Sequence, residues 1–433
     1  MDQRKGKEGM REPGYFEGHF EAFLKTRNRE ASWIREIRAA GMAHFRELGF
    51  PKGAEPNEDC HTLPSAPAEL DPARLDAWKF GDSHLLVFLD GSYREELSSP
   101  GELPPGVKVG SLRRALSEGN LAPWFGERCR PEREALVALN TAFFDDGAYL
   151  HLPRNLSLEK PVHLLFLGSP GKASFPRTLV RLEKGASLQL VECSGSLNGE
   201  SHFSNAVTEI SCASGSRLDH YRIRRENLQA EHYSWTGVGQ SHGSRYRSYE
   251  VSLGGAKLHS ETFAQLEDTR AECQLDGLYL ASGKQRMKHR SRVEHLSPDC
   301  KTREHYRGIL NDEANAAFQG LILVEQGAQH TVAEQKNRNL LLSENAIVES
   351  RPELEIHADD VQCSHGSTTG QLDPAQIFFL RSRGIGEETA RALLTYAFAS
   401  EVLDRMELEP LRQTLSAELR RRLPRGETIE ASL

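Results

Sequence analysis

The sequence predicts a mainly β protein, with a parallel β-helix core flanked by α-helical domains at its N- and C-terminal ends. Three observations predict it. First, short pieces recur between about residues 145 and 375: EKGASLQLVEC (183–193), ASGSRLDHYRI (213–223), LGGAKLHSETF (253–263) and EQGAQHTVAEQ (325–335). Each opens on a small or glycine-containing turn and continues as alternating apolar and polar residues. Second, the turns stand near multiples of ~20 residues apart, the period of a solenoid whose single coil cannot bury its own apolar face. Third, helical periodicity is confined to the two ends. A β-sandwich with irregular loops is the competing architecture. The β-helix is preferred because the turns recur without hairpin dipeptides.

Residues 1–144 read as an N-terminal helical domain with a small β segment. Phe16, Phe20, Phe23 and Leu24 fall at helical spacing, and Ile34, Ile37, Phe45 and Leu48 continue the pattern until Gly49 and Pro51 stop it. Residues 51–72, rich in Pro, Glu and Asp, read as an exposed connector. Residues 85–89 followed by Asp90-Gly91 predict a strand and turn, and 132–144 a further helix. Residues 145–375 form the core. Residues 376–433 are helical again: Ala390, Leu393, Leu394, Ala397, Phe398, Val402 and Met406 make one apolar stripe, Glu409-Pro410 interrupts it, and Leu411, Leu415, Leu419 and Leu423 make an i,i+4 ladder. Two short amphipathic helices either pack on the solenoid or bind another protein.

Composition narrows the function. The 433 residues carry a formal net charge of -8, from 62 acidic and 54 basic residues, which argues against a duplex nucleic-acid partner. The opening MDQRKGKEGMREP lacks the apolar run of a secretory signal, and apolar stretches such as 162–167 fall far short of the ~20 residues that span a bilayer. The expected location is the cytoplasm. Seven scattered cysteines (Cys60, Cys129, Cys193, Cys212, Cys273, Cys300, Cys363) form no CxxC pair, so neither a disulfide framework nor a self-contained metal site is expected. If metal binds, another chain supplies ligands.

The densest polar constellation is ELEIHADDVQCSHG (353–366). Read as one strand, it places His357, Asp359, Cys363 and His365 on a single face, away from Leu354 and Ile356. Thiolate, imidazole and carboxylate together can bind iron or accept sulfur. The alternative is a polar outer face with a chance cysteine. His289, His295, Cys300 and His305 fit no metal loop and read as outward ladder positions; Gln335, Asn337 and Asn339 read as a structural stack. GSPGK (168–172) lacks P-loop spacing. RGIGEETARALL (383–394) resembles the hairpin motif of some DNA-binding proteins, whose glycine turn lets backbone amides meet phosphate, yet Glu387 and Glu388 follow it and would repel phosphate.

Longer matches go further. ADDVQCSHGSTTGQLD (358–373) with IFFLRSRGIGEETARALLTYAF (377–398), NTAFFDDGAYLHLPRNLSLEKPVHLLFL (140–167) and DCKTREHYRGILNDEANAAFQGLILVEQGAQHTVAEQKNRNLLLS (299–343) resemble the SufB/SufD family of iron–sulfur cluster assembly scaffold proteins. Of the family's two paralogous types, Cys363-Ser364-His365-Gly366 and the helical N-terminus resemble the SufD type. The resemblance implies a right-handed β-helix and a non-catalytic subunit. It implies a heterodimer with a SufB-type paralogue joined through the β-helix ends, and a SufC-type ATPase docked on the C-terminal helices, where the leucine-rich stripes would suit it. It also implies that His365, with Cys363 beside it, helps hold a transient iron–sulfur cluster or iron shared with the SufB-type subunit. No tightly bound cofactor is implied. His357 and Asp359 join that set only by strand parity. A β-helix enzyme acting on polysaccharide, or a homodimeric structural protein without a metal role, are the alternatives; self-association of the isolated chain is also plausible at an unpaired solenoid edge.

Overall fold

A computed structural model describes residues 13–27, 30–51 and 70–426. Cys60 and most of the expected connector at 51–72 lie outside them. The core is a parallel β-helix of about eight coils. From Ser187–Ser196 onward, successive strands alternate between two sheets, each pairing in parallel with the strand two places on. Arg217, Arg245, Glu272, Lys301, Val332 and Gln362 stand in one file, so a coil advances by 27 to 31 residues. The ~20-residue period expected from the turns is therefore too short. A coil holds two strands of about ten residues and two corners, and the recurring pieces open strands of both sheets.

One corner shows why the stack holds its register. Gly185, Gly215 and Gly243 take φ of 70°, 68° and 61°, and Arg270, Asp299 and His330 continue the file at 60°, 60° and 59°. Each donates its backbone N–H to the corner one coil on, ending with His330 N to Asp360 O at 2.7 Å. Glycine adopts this left-handed geometry freely; the later residues adopt it because the ladder of bonds over-determines it.

The N-terminal helices pack on the outer face of the sheet that contains Phe203–Cys212, near the first coils. Helix α1 (Pro13–Lys25) and α2 (Ser32–Leu48) pack with two further helices, α3 (Leu112–Glu118) and α4 (Ala135–Phe143). Gly49 ends α2 as expected, donating its N–H to Phe45 O at 2.8 Å. All nine residues of α4 are buried. The buried Arg38 holds Glu30 through two bonds of 2.8 and 2.9 Å, and its Nη1 reaches the carbonyls of Ala142 and Phe144 where α4 ends. Two antiparallel strand pairs finish this end: His84–Leu89 with Ser92–Tyr93, and Lys108–Ser111 with Ala148–Leu152.

At the other end the chain leaves the solenoid as α5 (Pro374–Arg381), α6 (Glu387–Leu403) and α7 (Glu409–Arg422). Helices α6 and α7 fold back on the outer face of the sheet that contains Gln362–Gly370, and α5 packs against α6. The ladder Leu411, Leu415, Leu419 and Leu423 is at most 3% exposed and joins Tyr221, Tyr249, Val251 and Leu278 in one apolar cluster. It is consumed by packing on the solenoid and is not a free docking surface. On α6 and its exit Ala390, Val402 and Met406 of the expected stripe are buried, along with Ala392, Thr395, Ala399 and Leu403, while Ala397 is exposed. Arg307–Glu401 and Arg405–Asp276 pin α6 and its exit to the sheet. No helix among the described residues is long and apolar enough to cross a membrane.

Candidate functional site

The last coil consists of Ile347–Ile356 in one sheet and Gln362–Gly370 in the other. Each pairs on one side only, with Asn315–Val324 and Val332–Leu341 respectively. Among the described residues nothing pairs with their far edges. Two rows of backbone donors and acceptors are thus left open, the classical template for joining another chain.

Register fixes which way the side chains point. Cys363 lies beside Ala333, His365 beside Gln335, Ser367 beside Asn337 and Thr369 beside Asn339. The four partners are at most 4% exposed inside the coil. Cys363 and His365 therefore occupy inward positions of a coil that has no further coil to cover it. Ser367 Oγ reaches Ser350 Oγ across the gap between the sheets at 2.7 Å. His365 is exposed; Cys363 is half-buried, packed with Leu354 and Val361 over Ile322, Val324 and Ala333. Burial raises the Cys363 thiol above its ordinary range, so it rests as the protonated thiol.

This corrects the single-strand reading of 353–366. The strand ends at Ile356, residues 357–361 form a corner, and a new strand starts at Gln362. The corner resets parity. Cys363 shares the inward side with Leu354 instead of opposing it. His357 sits in the corner, its Nε2 3.1 Å from Glu355 Oε1, and Asp359 is exposed there. The structure brings Cys363 and His365 onto one face and leaves His357 and Asp359 off it. Among the described residues no group of three or more His, Cys, Asp or Glu is arranged to hold a metal ion.

The second cluster is also repositioned. His289 and His295 are buried and point inward, not outward: His289 approaches Glu250 at 3.5 Å, and His295 Nε2 lies 2.8 Å from Thr302 Oγ1. Burial holds His295 down to about 4, so it stays neutral. Cys300 is buried at a corner; His305 does point outward, 3.0 Å from Glu334 and 2.6 Å from Arg405. Sequence reasoning missed that the coil interior is strongly polar. Glu192 with Arg224, and Glu250 with Arg222, form ion pairs at 3.1 Å wholly inside the helix. It also missed Phe378 and Phe379 on α5, which are 72% and 53% exposed. The apolar run IFFL in this short helix was the available signal.

Comparison with known families decides the class. Residues 165–398 match the SufBD core domain of SUF-system FeS cluster assembly, and residues 81–164 match the SufBD protein N-terminal region. The chain belongs to the SufB/SufD family. Among its relatives, an iron–sulfur cluster assembly SufBD family protein of Synechocystis is 34% identical, covering 80% of each chain. The iron–sulfur cluster assembly protein SufD of Escherichia coli is 31% identical over 84% of this chain and 85% of its own. SufD of Bacillus subtilis is 27% identical over 93% and 97%. The chain is thus an iron–sulfur cluster assembly protein of the SufB/SufD family with SufD homologues. The core match spans the end coil, including Cys363 and His365, and runs through α5 into α6. Family membership displaces the polysaccharide-cleaving alternative.

Proposed function

We propose that this chain is the SufD-type scaffold subunit of a cytoplasmic iron–sulfur cluster assembly complex. The open end of its β-helix pairs with a SufB-type paralogue. At that seam His365 and Cys363 complete a ligand set with residues of the partner and hold iron or the nascent cluster, which is cargo rather than a resident cofactor. His357 and Asp359, in the corner of the same coil, contact iron on its way to the seam. A SufC-type ATPase docks on the C-terminal helices. With the leucine ladder buried, the docking surface falls to α5: Phe378 and Phe379 beside a groove of about 580 Å³ lined by Leu342, Leu372, Ile377, Arg381 and Arg391. The chain itself performs no catalysis, and ATP hydrolysis belongs to the ATPase.

The observation that carries the reading is the bare last coil, which offers two donors of the types that iron–sulfur chemistry uses at an edge built for another strand. The test is co-expression with the paralogue and the ATPase. His365→Ala should leave the complex assembled yet greatly lower its cluster content, read by visible absorption and iron analysis. Unchanged cluster content removes the site and favours a scaffold without a metal role. Phe378→Asp with Phe379→Asp should cut recovery of the ATPase in pull-downs while the paralogue still co-purifies; full recovery removes the docking assignment.

A further inference from the structure

Directly beneath His365 the coil interior holds a connected polar pair. Gln335 is His365's neighbour in the inward file, and Glu304 is the next residue down; both are fully buried. Gln335 Nε2 donates to Glu304 Oε2 at 2.6 Å, and Ser291 Oγ donates to the same oxygen from the opposite sheet at 3.0 Å. Glu304 differs from the deeper glutamates. Glu192 and Glu250 each face an arginine, whereas Glu304 faces only neutral donors. The titratable groups turned into its surroundings are Cys273 and Tyr279 from the strand below, Tyr306 on its own strand, and His289 and His295 from the opposite sheet. Strands Asn315–Val324 and Val332–Leu341 turn none inward.

Two further details point upward, to the open end. Gln335 Oε1 is buried and has no hydrogen-bond partner among the described residues. A buried acceptor left so keeps its full desolvation cost until a donor reaches it. Neighbouring strands stand about 4.8 Å apart, so the side chain stacked on Gln335 is that of His365. The space for the amide is also cut to fit: at Gly320, opposite, a Cβ would lie 2.1 Å from Gln335 Nε2.

We propose that Gln335 and Glu304 are positioning residues for His365. Gln335 Oε1 accepts the N–H of one ring nitrogen while its amide N–H donates to Glu304, so the other ring nitrogen faces the open end with its lone pair free. Histidine ligands are commonly oriented this way, by a hydrogen bond on the nitrogen that does not bind the metal. The inference rests on the reading of His365 as an interface ligand. It adds the residues that fix which nitrogen is offered.

The test is ¹⁵N NMR of the full chain labelled at histidine, at a pH above the imidazole range, with His365→Ala identifying the His365 signals. The wild-type ring nitrogens should split into one protonated and one lone-pair type. Gln335→Met, of similar length, and Gly320→Ala, which displaces the amide without altering it, should each collapse the split toward the averaged values of a free imidazole. Glu304→Gln should keep it, since the new amide oxygen still accepts from Gln335. An averaged His365 in the wild type, or a retained split in either variant when folded, overturns the proposal. Cluster content of His365→Ala separates the two ideas. Unchanged content with a Gln335-dependent split supports the positioning chain and removes the ligand reading. Lost content with a Gln335-independent split keeps the ligand and removes the chain.

Discussion

Glu304 makes the pH dependence of stability calculable. Burial raises its carboxyl from the ordinary 4.5 to about 7, against the opposing hydrogen bonds from Gln335 and Ser291. In the unfolded chain the same group ionises near 4.5. Below that pH both states hold the proton and folding keeps its full stability. As pH rises from about 4.5 to about 7, the unfolded state loses the proton first and is favoured, so stability falls; above about 7 the loss levels off. At 1.36 kcal/mol per pKa unit the total is about 3 kcal/mol. Glu304→Gln removes this dependence while keeping an acceptor for Gln335. Relative to wild type, the variant should gain about 3 kcal/mol between pH 4.5 and 8, on top of any constant offset from the altered bond to Ser291. The measurement is the urea midpoint of both proteins at several pH values across that range, with the difference taken at each. A difference that does not change with pH would show that Glu304 carries no proton at neutral pH and refute the reasoning.

Two other perturbations test the architecture. Leu415→Ala removes a buried rung of α7 and should destabilise the C-terminal helices by about 2–5 kcal/mol, seen as early proteolytic release of the segment after residue 376; a wild-type digestion pattern would argue against the packing. Gly147→Ala, at φ 146°, would put a Cβ 1.9 Å from Arg177 O and should send the chain to the insoluble fraction, whereas Gly110→Ala, with open space around it, should express normally.

The fold was legible in the sequence because its punctuation is local. Gly49 reads as a helix stop from the chain alone, and the corners announce themselves through Gly185 and Gly215. The coil length was not legible. Later corners use Arg270, Asp299 and His330 in the same left-handed geometry, and no glycine marks them. The site was half legible. Cys363 and His365 share a face in any strand containing both, but the corner at 357–361 breaks the period of two on which the placement of His357 and Asp359 depended. The polar interior failed for a different reason. Alternation tells two faces apart without saying which is inside, and hydrophobicity usually supplies the answer. In 217–224 and 301–310 that rule inverts: Arg222, Arg224 and Glu304 are inside, while Ile223 and Ile309 face outward against the C-terminal helices. A sheet covered on both sides leaves the polar residue to whichever layer can pair it, and pairing is a tertiary fact.

The same tertiary reasoning chooses between the two open edges. Natural sheets defend an unpaired edge with charge or proline, which deter a further strand. Ile347–Ile356 carries Glu349, Arg351, Pro352, Glu353 and Glu355 along its length, and Pro352 has no N–H to offer. Gln362–Gly370, sequence QCSHGSTTG, carries no Lys, Arg, Asp, Glu or Pro. One edge of the last coil is defended and the other is not. A chain under pressure only to stay monomeric would defend both, since one bare edge suffices for aggregation. The asymmetry makes sense if the undefended strand is normally covered. On the proposed pairing, then, the SufB-type subunit adds its strand to Gln362–Gly370, the strand that holds Cys363 and His365, and the defended strand steers it there. Charge placed on that edge, as in Ser364→Lys with Thr368→Lys, should abolish co-purification of the paralogue, while Glu349→Lys on the opposite edge should leave it intact. Equal loss from both would mean that the two edges pair alike and that their difference in sequence has another cause.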